Sequence, residues 1–330
     1  MMYKRIITHY DFDGVASAAL CSYVLNIDFI YFTGPRAIIE SRLTTTSGDV
    51  VCDLPYPHGC GLWFDHHEGN MEDLKNRNID LESLPGRFAL LPSCSHVIYD
   101  YFRERLALPG RFQQLIEEAD LIDGFSYKNV REWRRITPGK IIDGTLRFQG
   151  DDPKVMRTYM KSIVLDLRDK PLQEVADRDD VKSRYEQYLI DERNMLEQIR
   201  KDGFFLEEDI KKELVIIDQT PYNQRNPILK HLAYLMYPNA LGVISINTLY
   251  QSDQKTNNLC FSMSLSLRMT NQQHAKNVGL ILRNLNLGDG HRGAAAGVVV
   301  CGTGEEMNRK KEETLHHIFR AWRNQTDDRM

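Results

Sequence analysis

The chain opens on a short apolar run, RIIT at Arg5–Thr8, and the spacing of such runs against polar breaks organises its first half. Phe29–Phe32, Val50–Cys52 and Gly61–Phe64 are three more segments of strand length. Between the first two, GVASAALCSYV at 14–24 is small and apolar almost throughout, which predicts a helix packed deep in a core. Ser95–Leu106 and Phe112–Ala119 repeat apolar residues at helical spacing. Strands alternating with helices predict an α/β fold whose N-terminal sheet is mostly parallel and sandwiched by helices. From Leu172 to Arg200 charges are dense, glycine is absent and apolar residues are spaced along the stretch, at Val175, Val181, Tyr185, Leu189, Met195, Leu196 and Ile199. That pattern predicts a long helix or helix pair acting as a linker. A smaller mixed-sheet α/β domain follows. Its expected strands are Leu214–Asp218, Leu241–Leu249 and Leu259–Arg268, the last two alternating as antiparallel neighbours do. Its expected helices are Pro227–Met236, Gln272–Asn284 and a last one from Glu305 to Trp322. The expected division is therefore a domain at 1–171, a helical linker at 172–210 and a second domain at 211–330.

Composition narrows the class without changing this picture. With 42% apolar and 27% charged residues, the chain has the profile of a globular protein. No apolar run approaches the roughly 18 residues a membrane span needs, and the N-terminus carries no signal-peptide pattern, so a cytoplasmic protein is expected. The six cysteines are scattered and form no CxxC pair, which argues against a disulfide framework or a structural zinc site. A formal net charge of −4 lacks the basic excess of proteins that coat duplex DNA, and favours a small or short anionic substrate.

Five motifs carry candidate chemistry. His9-Tyr10-Asp11-Phe12-Asp13-Gly14 places an imidazole and two carboxylates on one tight turn after a strand. Groups that close repel one another unless a cation joins them, and oxygen with imidazole donors suits Mn²⁺ or Mg²⁺. A helix-capping turn would use the same aspartates. Asp53 follows the Val50–Cys52 strand, either capping a turn before Pro55 or adding a ligand. Asp65-His66-His67 follows another strand, with one histidine suited to a metal, the other to substrate, and Asp65 to orienting an imidazole. Asp120 and Asp123 both end an apolar helix, against its dipole. Gly288-Asp289-Gly290-His291-Arg292-Gly293-Ala294-Ala295-Ala296-Gly297 could bare backbone amides to a phosphate, with Arg292 adding a two-pronged contact.

In this order, the five motifs resemble the DHH phosphoesterase superfamily, and within it the two-domain branch with a C-terminal DHHA1 domain. The similarity spans nearly the whole chain. That family includes RecJ-type nucleases, nano-RNases, cyclic-dinucleotide phosphodiesterases, phosphatases of adenosine bisphosphate and exopolyphosphatase-related proteins. The resemblance implies a Mn-dependent phosphoesterase holding two divalent ions, foremost Mn²⁺ with Mg²⁺ or Co²⁺ as alternatives. It implies that His9 and Asp11 hold one ion, Asp13 and His66 the other, that Asp53 bridges them, and that Asp120 completes the second site, with Asp123 as the alternative. His67, supported by Asp65, would touch the scissile phosphate, and Gly290, His291, Arg292 and Gly293 would bind substrate. Asp289 departs from the family's run of three glycines. The expected reaction is hydrolysis of phosphodiester or phosphomonoester bonds in short oligonucleotides or nucleotides by metal-activated water. Two alternatives are release of phosphate from polyphosphate and an inactive nucleotide-binding module. No membrane partner is expected, and a homodimer is left open.

Overall fold

Strands buried on both faces are apolar along their length, and helices must cover each face. The computed structural model follows that logic; it describes residues 3–148, 150–224, 228–251, 254–270 and 274–325. The chain forms two units, Met1–Tyr127 with Arg134–Asp191, and Lys128–Trp133 with Glu192–Met330.

In the first unit, β1 (Arg5–Thr8) leads into α1 (Phe12–Leu25), followed by β2 (Ile30–Phe32), α2 (Pro35–Ile39), β3 (Asp49–Cys52), β4 (Leu62–Asp65), α3 (Glu68–Asn76) and β5 (Gly86–Phe88). The five strands pair in the order β2-β1-β3-β4-β5, all parallel. Helices α4 (Cys94–Arg103) and α5 (Arg111–Asp123) follow; α6 (Val130–Trp133) belongs to the other unit. Then come α7 (Pro138–Arg147), α8 (Pro153–Asp169), α9 (Leu172–Ala176) and α10 (Asp179–Asp202), the last running past the unit boundary. Helix α1 is buried along most of its length because its alanines and serines let neighbouring helices approach closely. One face of the sheet packs Ile6, Val50, Cys52 and Phe64 against α1, α4, α5 and α8, while Ile7, Val51 and Trp63 fill the other with Leu54 and Leu74. Gly14 opens α1 where the chain folds back on β1: a Cβ there would lie 2.3 Å from the carbonyl oxygen of His9.

The second unit contains β6 (Gly203–Phe204), β7 (Leu214–Asp218), α11 (Ala233–Met236), β8 (Gly242–Gln251), β9 (Gln254–Leu265), α12 (Leu267–Thr270), α13 (Val278–Asn284), β10 (Gly288–Gly290), β11 (Ala294–Val299) and α14 (Gly304–Asn324). Its sheet runs β10-β11-β9-β8-β7-β6 and is mixed, with β7 and β8 parallel and the other pairs antiparallel. Ile244, Ile246, Phe261 and Met263 pack with Ile281, Ile318 and Trp322 from α13 and α14.

Several boundaries differ from the sequence expectation, among them those of three elements in the second unit. The strand expected to reach Arg268 ends at Leu265, because the Ser266 amide donates to Leu241 O and the chain turns into α12. The helix expected over 272–284 begins at Val278, where Asn277 caps it through the Leu280 amide; 271–273 lie outside the described residues. The helix expected over 227–236 is a 3-10 turn at Lys230–Leu232 continued by α11, and 225–227 are likewise outside. Among the described residues no helix is long and apolar enough to cross a membrane.

Candidate metal centre

Three strands of the parallel sheet, β1, β3 and β4, end in one place. Beyond the carboxyl end of β1, His9 and Asp11 begin the turn into α1, with Asp11 capping that helix by accepting from the Gly14 amide at 3.0 Å. Asp13 lies in the helix's first turn. Asp53 follows β3 in the left-handed region, φ 57°, its amide donating to Phe64 O. Asp65 ends β4 and is completely buried, and His66 and His67 follow it. Ligand placement at the carboxyl ends of parallel strands is what this architecture permits best.

The distances bring these groups together. His9 Nδ1 lies 2.6 Å from Asp11 Oδ2 and 3.6 Å from Asp53 Oδ2. His66 Nε2 lies 3.6 Å from Asp53 Oδ1, 3.4 Å from Asp123 Oδ2 and 3.9 Å from Asp13 Oδ2. Because a carbonyl only accepts, the 3.0 Å contact of His66 Nδ1 with Leu91 O puts the ring proton on Nδ1. In the neutral ring, the form a metal ligand requires, the Nε2 lone pair is directed among three carboxylates, buried and, among the described residues, without a hydrogen-bond partner. Asp53 is 2% exposed, and among the described residues neither of its oxygens has a hydrogen-bond partner either. Among the described residues, three overlapping groups have ligand atoms close enough for one ion: His9-Asp11-Asp53, Asp13-His66-Asp123 and Asp53-His66-His67.

Electrostatics mark the same spot. Burial pushes the Asp53 carboxyl well above its usual range, and the charges of Asp11, Asp13, Asp123 and Asp65 push it further. Asp123 is driven well up by burial and by Asp13 and Asp11, against the pull of His67 and Arg147. Burial also raises Asp13, although His66 and the Ser95 amide pull against it. For Asp11, burial is outweighed by the hydrogen bond and charge of His9, and the carboxyl sits well below its usual range. His67 resists burial through Asp65, which it contacts at 2.9 Å, and is raised to about 9. Asn70 holds the other Asp65 oxygen at 2.7 Å, so this carboxylate orients His67.

Comparison with known proteins bears on the fold that carries these residues. No family model and no curated protein matches the sequence. Solved structures do. A pGpG-specific phosphodiesterase, PggH, from Vibrio cholerae shares 21% identity at a TM-score of 0.68, over 97% of this chain and 99% of that one. A DHH-domain protein described as a member of a family of ribosomal proteins shares 12% at 0.55, over 96% and 86%. RecJ from Thermus thermophilus, in complex with Mg²⁺, shares 13% at 0.50, over 96% of this chain and 50% of that chain. The chain has the two-domain DHH fold.

Within this DHH fold, the donor set fits a divalent metal. The atoms left without protein partners are carboxylate oxygens and an imidazole nitrogen, at the point where burial and mutual repulsion are worst. The nearby thiols do not compete: burial keeps Cys52 and Cys94 well above the ordinary thiol range, and Cys94 Sγ donates to Phe64 O. On α5 the structure separates the two acidic candidates. Asp123 faces the cluster. Asp120 does not; it accepts from Ser93 Oγ at 2.7 Å and meets His96 Nδ1 at 2.8 Å.

Two contributors escaped the sequence reading. The amides of Cys94 and Ser95, at the start of α4, donate to Asp13 Oδ2 and Oδ1 at 2.7 and 2.9 Å, so a helix N-terminus orients this carboxylate. Arg147, at the end of α7, donates to Asp143 Oδ2 at 2.8 Å and places a positive charge within range of Asp11 and Asp123. Backbone amides leave no trace in a motif. Arg147 carried only a weak signal, a lone arginine at a helix end.

The glycine-rich stretch belongs to the second unit and forms β10, a turn and β11. Gly288 and Gly290 serve close strand approach: a Cβ would lie 2.1 Å from Ala296 O and 2.4 Å from Ala294 O. His291 Nδ1 accepts from the amides of Gly293 and Ala294 at 3.1 and 3.3 Å. Arg292 donates from Nε to Lys276 O at 3.2 Å and from Nη2 to His274 O. The Gly293 amide and two Arg292 donors, which the sequence reading assigned to phosphate, are thus used within the second unit, on His291 and on the carbonyls of Lys276 and His274.

Proposed function

We propose that the chain is a phosphoesterase that holds two divalent cations, Mn²⁺ foremost, and hydrolyses phosphodiester bonds of very short oligonucleotides, dinucleotides above all. The observation that carries this reading is Asp53, whose two buried oxygens lack hydrogen-bond partners among the described residues and face one toward His9 and the other toward His66. One ion would be held by His9, Asp11 and Asp53, and the other by Asp53, Asp13, His66 and Asp123. When bound, such a pair supplies Lewis-acid polarisation of water and of the phosphoryl oxygens. The chain's own side chains do the rest. Half-exposed His67, kept cationic by Asp65, offers a proton donor to a phosphoryl or leaving oxygen. Arg147, fixed by Asp143, offsets negative charge on the substrate. Similarity along both full lengths to a phosphodiesterase specific for pGpG supports a substrate of dinucleotide size.

The test is hydrolysis with Mn²⁺ across two- to five-nucleotide RNAs, linear and cyclic dinucleotides, adenosine bisphosphate and polyphosphate. Turnover is expected to be greatest for the linear dinucleotide and to vanish with EDTA. Preference for polyphosphate would replace the substrate assignment, and inertness toward every compound would defeat the enzymatic reading.

A further inference from the structure

The turn that carries His9 and Asp11 also carries Tyr10, and no role in the metal centre falls to it. Tyr10 is 51% exposed. Of the exposed tyrosines and phenylalanines among the described residues, Tyr10 alone adjoins a candidate ligand along the chain. An aromatic ring left half in water forgoes much of the gain from burying it, so packing of the turn alone does not account for the residue.

The ring is nonetheless held. Its centroid lies 4.4 Å from that of His9, with the planes tilted by 41°. On another side it meets bare backbone: a Cβ at Gly34 would come within 3.3 Å of Tyr10 Cε1 and of the hydroxyl oxygen. The turn beneath is fixed by Asp11, which accepts from the Gly14 amide at 3.0 Å and meets His9 Nδ1 at 2.6 Å. A ring so placed loses little freedom when a flat partner covers its open part, which lowers the cost of binding that partner. Nucleobases offer such a partner, because every base has a π-face and stacks on an aromatic side chain whatever its sequence. Position agrees with this. A phosphate at the metal centre would lie beside His9, and the base of a nucleotide stands one ribose further out, where the neighbour of the His9 ring is.

We propose that Tyr10 is the stacking platform for the nucleobase next to the phosphate at the metal centre, and that it sets the preference for nucleotides over phosphates that carry no base. This rests on the phosphoesterase reading for the place of the phosphate. A residue that only packed the turn would, when lost, affect base-bearing and base-free substrates alike; a stacking platform acts on the first alone.

Two measurements on the full-length protein test this. The first is the ratio of kcat/KM for a linear dinucleotide to that for its abasic counterpart, with Mn²⁺. Tyr10→Leu, which keeps apolar bulk without an aromatic face, should lower the ratio by about tenfold, chiefly through KM of the dinucleotide. Tyr10→Phe should restore it. The second is fluorescence of a dinucleotide containing 2-aminopurine, with Ca²⁺ in place of Mn²⁺ so that binding is read apart from turnover. Stacking quenches this base, so wild type and Tyr10→Phe should quench it and Tyr10→Leu should not. A wild type that treats abasic and base-bearing dinucleotides alike, or quenching that is the same in Tyr10→Leu, would overturn the platform. With hydrolysis intact, either result leaves the phosphoesterase reading standing. Quenching that depends on Tyr10 in a protein that hydrolyses nothing would do the opposite, keeping the platform and removing the enzyme.

Discussion

At the scale of single residues, Asp53 concentrates the argument. It occupies a left-handed backbone position, which asparagine tolerates about as well as aspartate. Asp53→Asn therefore keeps shape and backbone while deleting the charge that its neighbours repel. In metal-free protein this substitution should stabilise by on the order of 1 kcal/mol. In the presence of Mn²⁺ it should lose the rise in melting temperature shown by the wild type, and hydrolysis with it. Thermal unfolding with and without Mn²⁺ checks both halves; a variant that still responds to the metal like wild type would remove Asp53 from the centre. The motifs made most of this cluster legible, because His9, Asp11, Asp13, Asp53, Asp65, His66 and His67 each lie within or just beyond a strand end. What a motif could not separate was Asp120 from Asp123. Three residues apart on α5, they lie on neighbouring sides of the helix, and only its rotation against the sheet selects Asp123.

At the scale of elements, α4 does more than cover the sheet. Its cap, Ser93, accepts from the His96 amide and donates to Asp120, while the next two amides hold Asp13. On the proposed reading, Asp120 would act on the centre by way of a helix end, as a positioning residue. Ser93→Ala should cost about 1 kcal/mol of stability as a lost cap. It should also weaken Mn²⁺ binding by about tenfold or more, as loss of an orienting partner does. Asn277→Ala is the control, because it removes a comparable cap from α13 in the other unit and should leave Mn²⁺ affinity unchanged. Calorimetric titration of both variants separates a local effect on Asp13 from general destabilisation; equal Mn²⁺ affinity in Ser93→Ala and wild type would sink the idea. Elements with continuous apolar runs, such as β1, β3, β7 and α1, were readable from their pattern. The strand β5 was not, because Gly86-Arg87-Phe88 shows no apolar run and is recruited by pairing with β4. Nor were β10 and β11, whose glycines and alanines describe close strand packing as well as they describe a ligand loop.

At the scale of the whole molecule, the metal candidates all belong to one of the two units, since His9, Asp11, Asp13, Asp53, His66 and Asp123 fall within Met1–Tyr127. Ligand binding stabilises the state it selects, and local opening is suppressed where the ligand's contacts lie. Metal should therefore slow hydrogen exchange at amides tied to the cluster: Gly14 bonded to Asp11, Cys94 and Ser95 bonded to Asp13, and Asp53 bonded to β4. Peptides from β7, β8 and β9 share no such bond and should exchange at the same rate with Mn²⁺ or EDTA. Mass-resolved exchange on the intact chain distinguishes these patterns. Uniform slowing across both units by Mn²⁺ alone would mean that the ion acts elsewhere than on the strand ends of the parallel sheet, and the assignment of its ligands would fail with it.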